Sequence, residues 1–464
     1  MTEGALLRPL LVLAAPLLVQ NLVQVVQQLV DLFWLGRLSG DAVAAVGLVF
    51  PVYALLVAFA VIGPYVGTQV LVSQRVGGED ATGARRALFT GLLIAVAVGL
   101  GFGLLTSGVT APLTRLLTAT QPGPVGERVA AMGAAYLGII GLGLPFLALS
   151  DTIEGAFVGW GDSRAALYLN VLAVLINVVL DPILIFGLGP APALGVEGAA
   201  LALILGYAGS FFLGLGLVAR GRNGGMLSRA TMTIDRSEHR ALLDIGVPTA
   251  AQQTARQTVR VVIISVVFAT GGPAGVAAYT VGARVAAVAF IPAQGLQQAT
   301  QSMVGQNLGA GNPRRAGQVT WLGVAVAGGV LGVVAVIQWF VPTTLVTAIT
   351  PGLGTQAFGL SVEYLRILAY GYPAIGIAYL LEGGFNGARR TRTSFIATLV
   401  QFWAIRLPIA AAGGLWLGYG VTAVFWAVTL SNVLAAIGLG LYYAYSTHTG
   451  MLRRAARAAE TAGD

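Results

Sequence analysis

Twelve apolar runs leave this chain few folds to choose from. A helix needs about 20 apolar residues to cross a bilayer. Such runs lie near 10–35, 43–70, 87–110, 130–156, 165–188, 196–219, 241–268, 276–303, 318–341, 358–382, 394–416 and 420–445. Only 9% of the 464 residues are charged, against roughly 25% in soluble domains. Hydrocarbon forces each spanning segment to satisfy its own backbone, so the runs are predicted as helices. The expected fold class is an all-α integral membrane protein with twelve transmembrane helices. One longer polar stretch, Arg220 to Arg240, divides it. The expected domains are a first lobe at 1–220, a solvated cytoplasmic linker at 221–240, a second lobe at 241–450 and a basic cytoplasmic tail at 451–464.

All 26 basic residues are arginine. If both termini and every even-to-odd loop are cytoplasmic, those segments hold 18 of them, and the opposite loops hold three, Arg37, Arg115 and Arg128. By the positive-inside bias this predicts a multi-pass protein of the cell membrane with both termini inside. The net charge of +8 is then a topology signal, and no nucleic-acid partner is expected. The chain has no cysteine, and its two histidines, His239 and His448, fall in cytoplasmic segments. That excludes disulfides, thiolate metal sites and a histidine relay in the membrane. The N-terminus reads as the first span, with no removable signal. No nucleotide loop, catalytic triad or metal-ligand cluster is apparent, so no enzyme and no organic cofactor are expected.

The two halves resemble each other. At an offset of 232, Pro16 meets Pro248, Gln20 meets Gln252, Asn21 meets Gln253 and Gln69 meets Gln301. At an offset of 228, Glu154-Gly-Ala-Phe-Val-Gly meets Glu382-Gly-Gly-Phe-Asn-Gly. Six spans per half make the repeats parallel. Duplicated transporters of this kind place the substrate site between their halves and expose it to alternate sides. Pro16 and Pro248 each interrupt a helical run and are candidate hinges.

The first span carries Gln20, Gln24, Gln27 and Asp31 at steps of four, three and four residues, which puts them on one helical face. Asn21 and Gln28 widen the stripe. In the fifth span Asn177 and Asp181 are four apart, and Pro182 follows. Asp181 lies 17 residues beyond Arg164, about 25 Å of helix, so both aspartates are expected in the outer half of the membrane. An ionisable group inside a membrane helix is costly and by default functional. Two carboxylates and an amide offer hard oxygen ligands for a cation, or a pair that shares a proton. The second half departs from this pattern. Ile263 stands opposite Asp31, Arg256 opposite Gln24 and Arg260 opposite Gln28, while Arg284 and Arg406 lie in later spans and Gln294, Gln297, Gln298 and Gln301 form another amide stripe. These arginines either bind substrate, clamp helices through backbone carbonyls, or pair with Asp31 and Asp181 across the cleft. The expected cavity lining is Gln20, Gln24, Gln27, Gln28, Arg256, Arg260, Arg284 and Gln298. Glu154 and Glu382 are expected in inner-side salt bridges with neighbouring arginines, and Glu363 with Arg366 in a local pair.

With Pro16 through Asp31, Gly159-Trp-Gly-Asp-Ser-Arg164, Asn177-Val-Val-Leu-Asp181-Pro182 and Gly195-Val-Glu-Gly-Ala-Ala200, the sequence resembles the multidrug and toxic compound extrusion (MATE) family of secondary antiporters. The resemblance covers nearly the whole chain. It implies two pseudo-symmetric six-helix lobes around a central cleft, alternating access, and drug or metabolite efflux driven by inward protons or sodium. It makes Asp31, Asn177 and Asp181 the cation-coupling site, and the metal ligands if the ion is sodium. A threonine that often completes this site in the family would fall near Leu203, which favours protons. The seventh-span glutamate of many NorM-type and eukaryotic members has no counterpart between Gln252 and Gln257. The chain therefore resembles the DinF-like branch, coupled through the first lobe alone. Family cargo is usually a lipophilic cation. Arginines in the cavity oppose that, so neutral, zwitterionic and anionic cargo carry equal weight for a polyspecific monomer. The alternative is a flippase of lipid-linked precursors, which shares the architecture and uses cleft arginines on phosphates.

Overall fold

The computed structural model describes residues 3–118 and 123–460, and all regular structure among them is helical. Eleven helical runs are long and apolar enough to cross a membrane. One of them, Arg236–Gly309, is two helices meeting at Gly272, whose φ of 56° and ψ of −156° lie in a region essentially open to glycine alone. That makes the twelve spans expected from the sequence. They are α1 (Leu7–Leu38), α2 (Gly40–Gly77), α3 (Ala81–Leu117), α4 (Pro124–Gly159), α5 (Ser163–Phe186), α6 (Val196–Ala219), α7 and α8 (236–271 and 273–309), α9 (Pro313–Phe340), α10 (Thr355–Gly387), α11 (Thr391–Trp416) and α12 (Gly420–His448). A short helix, Pro342–Ile349, follows α9, and Met451–Glu460 follows α12. α11 winds as a π-helix at Val400–Arg406 and Ala412–Trp416, whereas α5, its counterpart in the repeat, is α-helical throughout.

The chain forms two compact units, one of residues Val19–Ala250 and one of Ala251–Asp464 together with the chain up to Leu18. The divisions fall two residues after Pro16 and two after Pro248. They lie inside α1 and α7, at positions equivalent under the repeat.

Backbone geometry repeats as the sequence does. The turn after α2 places Glu79 at φ 60°, and the turn after α8 places Gly311, 232 residues later, at φ 71°. Gly161 after α4 (φ 86°) and Arg389 after α10 (φ 58°) match at an offset of 228. In every one of these turns the named residue donates to the carbonyl three positions back and the next residue to the carbonyl five positions back. Helix crossings repeat too. A Cβ on Gly159 would meet Gln69 O at 2.8 Å and Val72, and a Cβ on Gly387 would meet the equivalent Gln301 O at 2.5 Å and Val304. These glycines let α4 approach α2, and α10 approach α8, at backbone distance, as small residues do where membrane helices cross. Gly387→Val is therefore expected to destabilise the protein by about 1–3 kcal/mol. Gly329→Val, where a Cβ meets nothing within 4 Å, serves as the control, and detergent-solubilised melting compares the two.

The stretch read as a solvated linker is docked instead. Met226 is fully buried. Arg85 donates to the carbonyls of Gly224 and Gly225, and Arg75 bridges Asp80 and Glu238 at 3.2 and 2.7 Å. Arg222 grips Asp162 through Nε and Nη2 at 2.6 and 3.0 Å, in the two-pronged geometry guanidinium favours. Burial opposes charge on Asp162, yet the Arg222 and Ala165 hydrogen bonds hold its carboxyl below its ordinary range. Alternating charge in the sequence conceals such pairings, because the partners are up to 163 residues apart.

Candidate cation-coupling site

α1 presents two faces. Leu22, Val26, Leu29 and Phe33 are each at least half exposed, while Gln20 and Gln27 are buried and Asp31 is partly so. The polar stripe turns inward, onto α4 and α5. Gln27 Nε2 donates to Asn177 Oδ1 at 2.8 Å, and Asn177 Nδ2 donates to Asp181 Oδ1 at 3.3 Å. The carboxyl groups of Asp181 and Asp31 lie within hydrogen-bonding reach of each other. Asp31 Oδ1 and Asp181 Oδ2 are sealed, and no protein donor reaches them. A carboxylate carries acceptors only, so this contact is a hydrogen bond when one proton lies between the two groups.

A second acidic group lies lower on the same stripe. Gln20 Nε2 donates to Glu154 Oε1 at 2.6 Å, and Asp151, one turn earlier on α4, acts on the same carboxyl. The inner-side salt bridge expected of Glu154 does not form among the described residues. Its partner is an amide 134 positions away, which adjacency to the arginine-rich turn could not reveal. Asp151 was missed. Its three-residue spacing from Glu154 in an apolar run was the available signal. Tyr53 lies within electrostatic reach of Asp31 and Asp151, and Tyr136 of Asp31 and Asp181. Among the described residues, no arginine acts on any of the four acids.

Other expected cavity residues are not gathered here. Gln24 is half-buried and Gln28 exposed, with Leu203 buried among apolar neighbours. In the other unit Arg256 Nη2 reaches both oxygens of Glu382 at 2.6 Å, so the glutamate's partner is on α7 rather than in the adjacent turn. Gln297 also donates to Glu382, and Gln252 to Thr398. Arg260 is exposed and bonds Gln257 on its own helix. Arg284 is exposed and Gln298 half-buried. Glu363 and Arg366 do not form the expected local pair: Glu363 accepts from Thr422, and Arg366 lies 5.9 Å from the centre of the Trp339 ring.

A profile of the MatE family matches residues 16–183 and 248–412, two stretches that begin at the equivalent prolines. The chain belongs to the MatE family. It is a multi-pass MATE transporter of twelve helices in two six-helix lobes. Among curated proteins it is 27% identical to "Probable multidrug resistance protein YpnP" of Bacillus subtilis, over 97% of each chain. It is 28% identical to the FAD transporter of Shewanella oneidensis, over 89% of each. Among solved structures it matches a MATE protein in complex with MaL6 with a TM-score of 0.89 at 24% identity, over 98% of each chain. It matches a MOP superfamily transporter from Pyrococcus furiosus, described as having a binding pocket of reverse polarity, with a TM-score of 0.88 at 23% identity over 96% of each. At those identities the solved structures speak for the fold.

Proposed function

We propose that this MATE transporter exports drugs or metabolites across the cell membrane in exchange for protons bound by the Asp31–Asp181 pair, cycling by alternating access with both termini in the cytoplasm. The observation that carries this reading is the contact between the two carboxyls, with no arginine acting on them among the described residues. A proton between them makes the contact attractive. Removing it sets two like charges against each other, and such a pair at about 4 Å repels by about 4 kcal/mol at an effective dielectric of about 20. A bias of that size moves a two-state equilibrium about a thousandfold. Asp31 is on α1 and Asp181 on α5, so the repulsion acts on the position of α1, and Pro16 gives that helix a place to bend.

Sodium fits less well. The Asn177 oxygen already accepts from Gln27, and Leu203 offers no side-chain oxygen, whereas hard cations need several oxygen ligands. A lipid-precursor flippase would use several arginines of the second half on phosphate, and of these Arg256 is held by Glu382. Drug-like solutes and flavin nucleotides enter as cargo classes through the relatives named for multidrug resistance and FAD transport. The test is counterflow in proteoliposomes with pH and sodium gradients imposed separately. A pH gradient alone is expected to drive uphill cargo movement. Uphill movement on sodium alone would overturn proton coupling.

A further inference from the structure

Among the described residues, no carboxylate pairs with the buried cation Arg406. It is 8% exposed and ends the π-helical segment Val400–Arg406. Its Nε donates to Ser431 Oγ at 2.8 Å and its Nη2 to Asn432 Oδ1 at 2.6 Å, both on α12. Gln401 Nε2 donates to the same Asn432 oxygen, which fixes that acceptor. The guanidinium lies 4.1 Å from the centre of the Phe402 ring. Tyr279 on α8 and Tyr364 on α10 are within electrostatic reach, as are Arg260 and Arg256 on α7. None of these groups is a carboxylate.

The sequence of this unit explains why. Between Ala251 and His448 the only acids are Glu363 and Glu382. Glu382 is held by Arg256, and Glu363 accepts from Thr422. No other acid of that stretch remains for Arg406. Burying an arginine with only neutral acceptors is costly, and a purely structural clamp on α12 would be cheaper as an amide. A π-bulge, which re-aims side chains and recurs at functional sites, places it here, within one turn of the positions that match Asn177 and Asp181 in the repeat. Of five guanidinium hydrogens, two are used on Ser431 and Asn432. Both hydrogens of Nη1 and one of Nη2 remain, and Nη1 is not among the sealed atoms. That edge fits two oxygens of one oxyanion.

We propose that Arg406 binds an anionic group of the transported molecule, a phosphate or a carboxylate, within the unit built by α8, α10, α11 and α12. The role in transport rests on the exporter reading above, and the binding itself does not. The test is therefore equilibrium binding to the purified full-length protein in detergent, followed by intrinsic tryptophan fluorescence. Two probe pairs separate the oxyanions: riboflavin 5′-phosphate against riboflavin, and pyrenebutyrate against pyrenebutanol. The wild type is expected to favour the anion of at least one pair by about tenfold, and that pair names the group. Arg406→Gln is expected to remove the preference while leaving the neutral analogue bound. Arg406→Lys, which keeps the charge and loses the fork, is expected to keep part of it and serves if the glutamine variant does not fold. Equal binding within both pairs by the wild type, or an unchanged preference in Arg406→Gln, would overturn the proposal. Lost proton-driven flux with the anion preference intact would instead reject the exporter reading alone.

Discussion

Asp31→Asn in proteoliposomes is expected to stop uphill cargo export while leaving slow equilibration intact. The asparagine keeps the size and hydrogen-bonding reach of the side chain, so α1 still meets α5, but it can no longer exchange the proton. Each pH unit across the membrane is worth about 1.4 kcal/mol per proton, enough for about tenfold accumulation. An electrogenic cycle adds about 2.3 kcal/mol per 100 mV. In the variant both driving forces lose their hold on the cargo, and accumulation falls to about onefold. Asp181→Asn should behave alike, because the two groups act as one site. Gln27→Ala should retain coupling and shift its pH dependence, since it supports Asn177 without carrying a proton. Full pH-driven accumulation by Asp31→Asn would remove this residue from the coupling machinery.

Glu382→Gln is expected to cost about 3–5 kcal/mol of stability, because it strands a buried guanidinium. The Glu382 side chain is 3% exposed and that of Arg256 15%, so water cannot replace the lost partner. Arg256→Gln should cost a similar amount from the other side. The double variant should recover most of the loss, because it leaves two amides and no unpaired charge. A double-mutant cycle on melting in detergent measures this coupling directly. If Glu382→Gln alone costs nothing, Arg256 has found a sufficient acceptor in Thr398, whose hydroxyl is 3.5 Å away.

The fold was legible because membrane burial writes it in residues that are hard to mistake. Apolar runs gave the spans, and the helix break at Gly272 falls in the gap between the seventh and eighth of them, where two glycines precede Pro273. The Asp31–Asp181 contact was legible for the same reason: acids are rare in such runs, and the four-residue step from Asn177 fixes their face. What escaped reading were pairings set by tertiary proximity. Glu154 looked like a partner for nearby arginines and instead meets Gln20 on α1. Arg256 looked like cavity lining and instead holds Glu382. Spacing along one helix says which way a side chain faces, but the residue across from it belongs to another helix more than a hundred positions away.

The placement of the two divisions has a further consequence. The first stretch of α1 folds with residues from Ala251 onward, and the first stretch of α7 folds with Val19–Ala250. Neither half of the polypeptide is thus self-sufficient. Severed in the loop between α6 and α7, each fragment would lack a helical piece its own body requires and carry one that the other needs. The covalent tie through that loop is backed by a reciprocal trade of helices, and two separately made fragments would have a built-in reason to find each other.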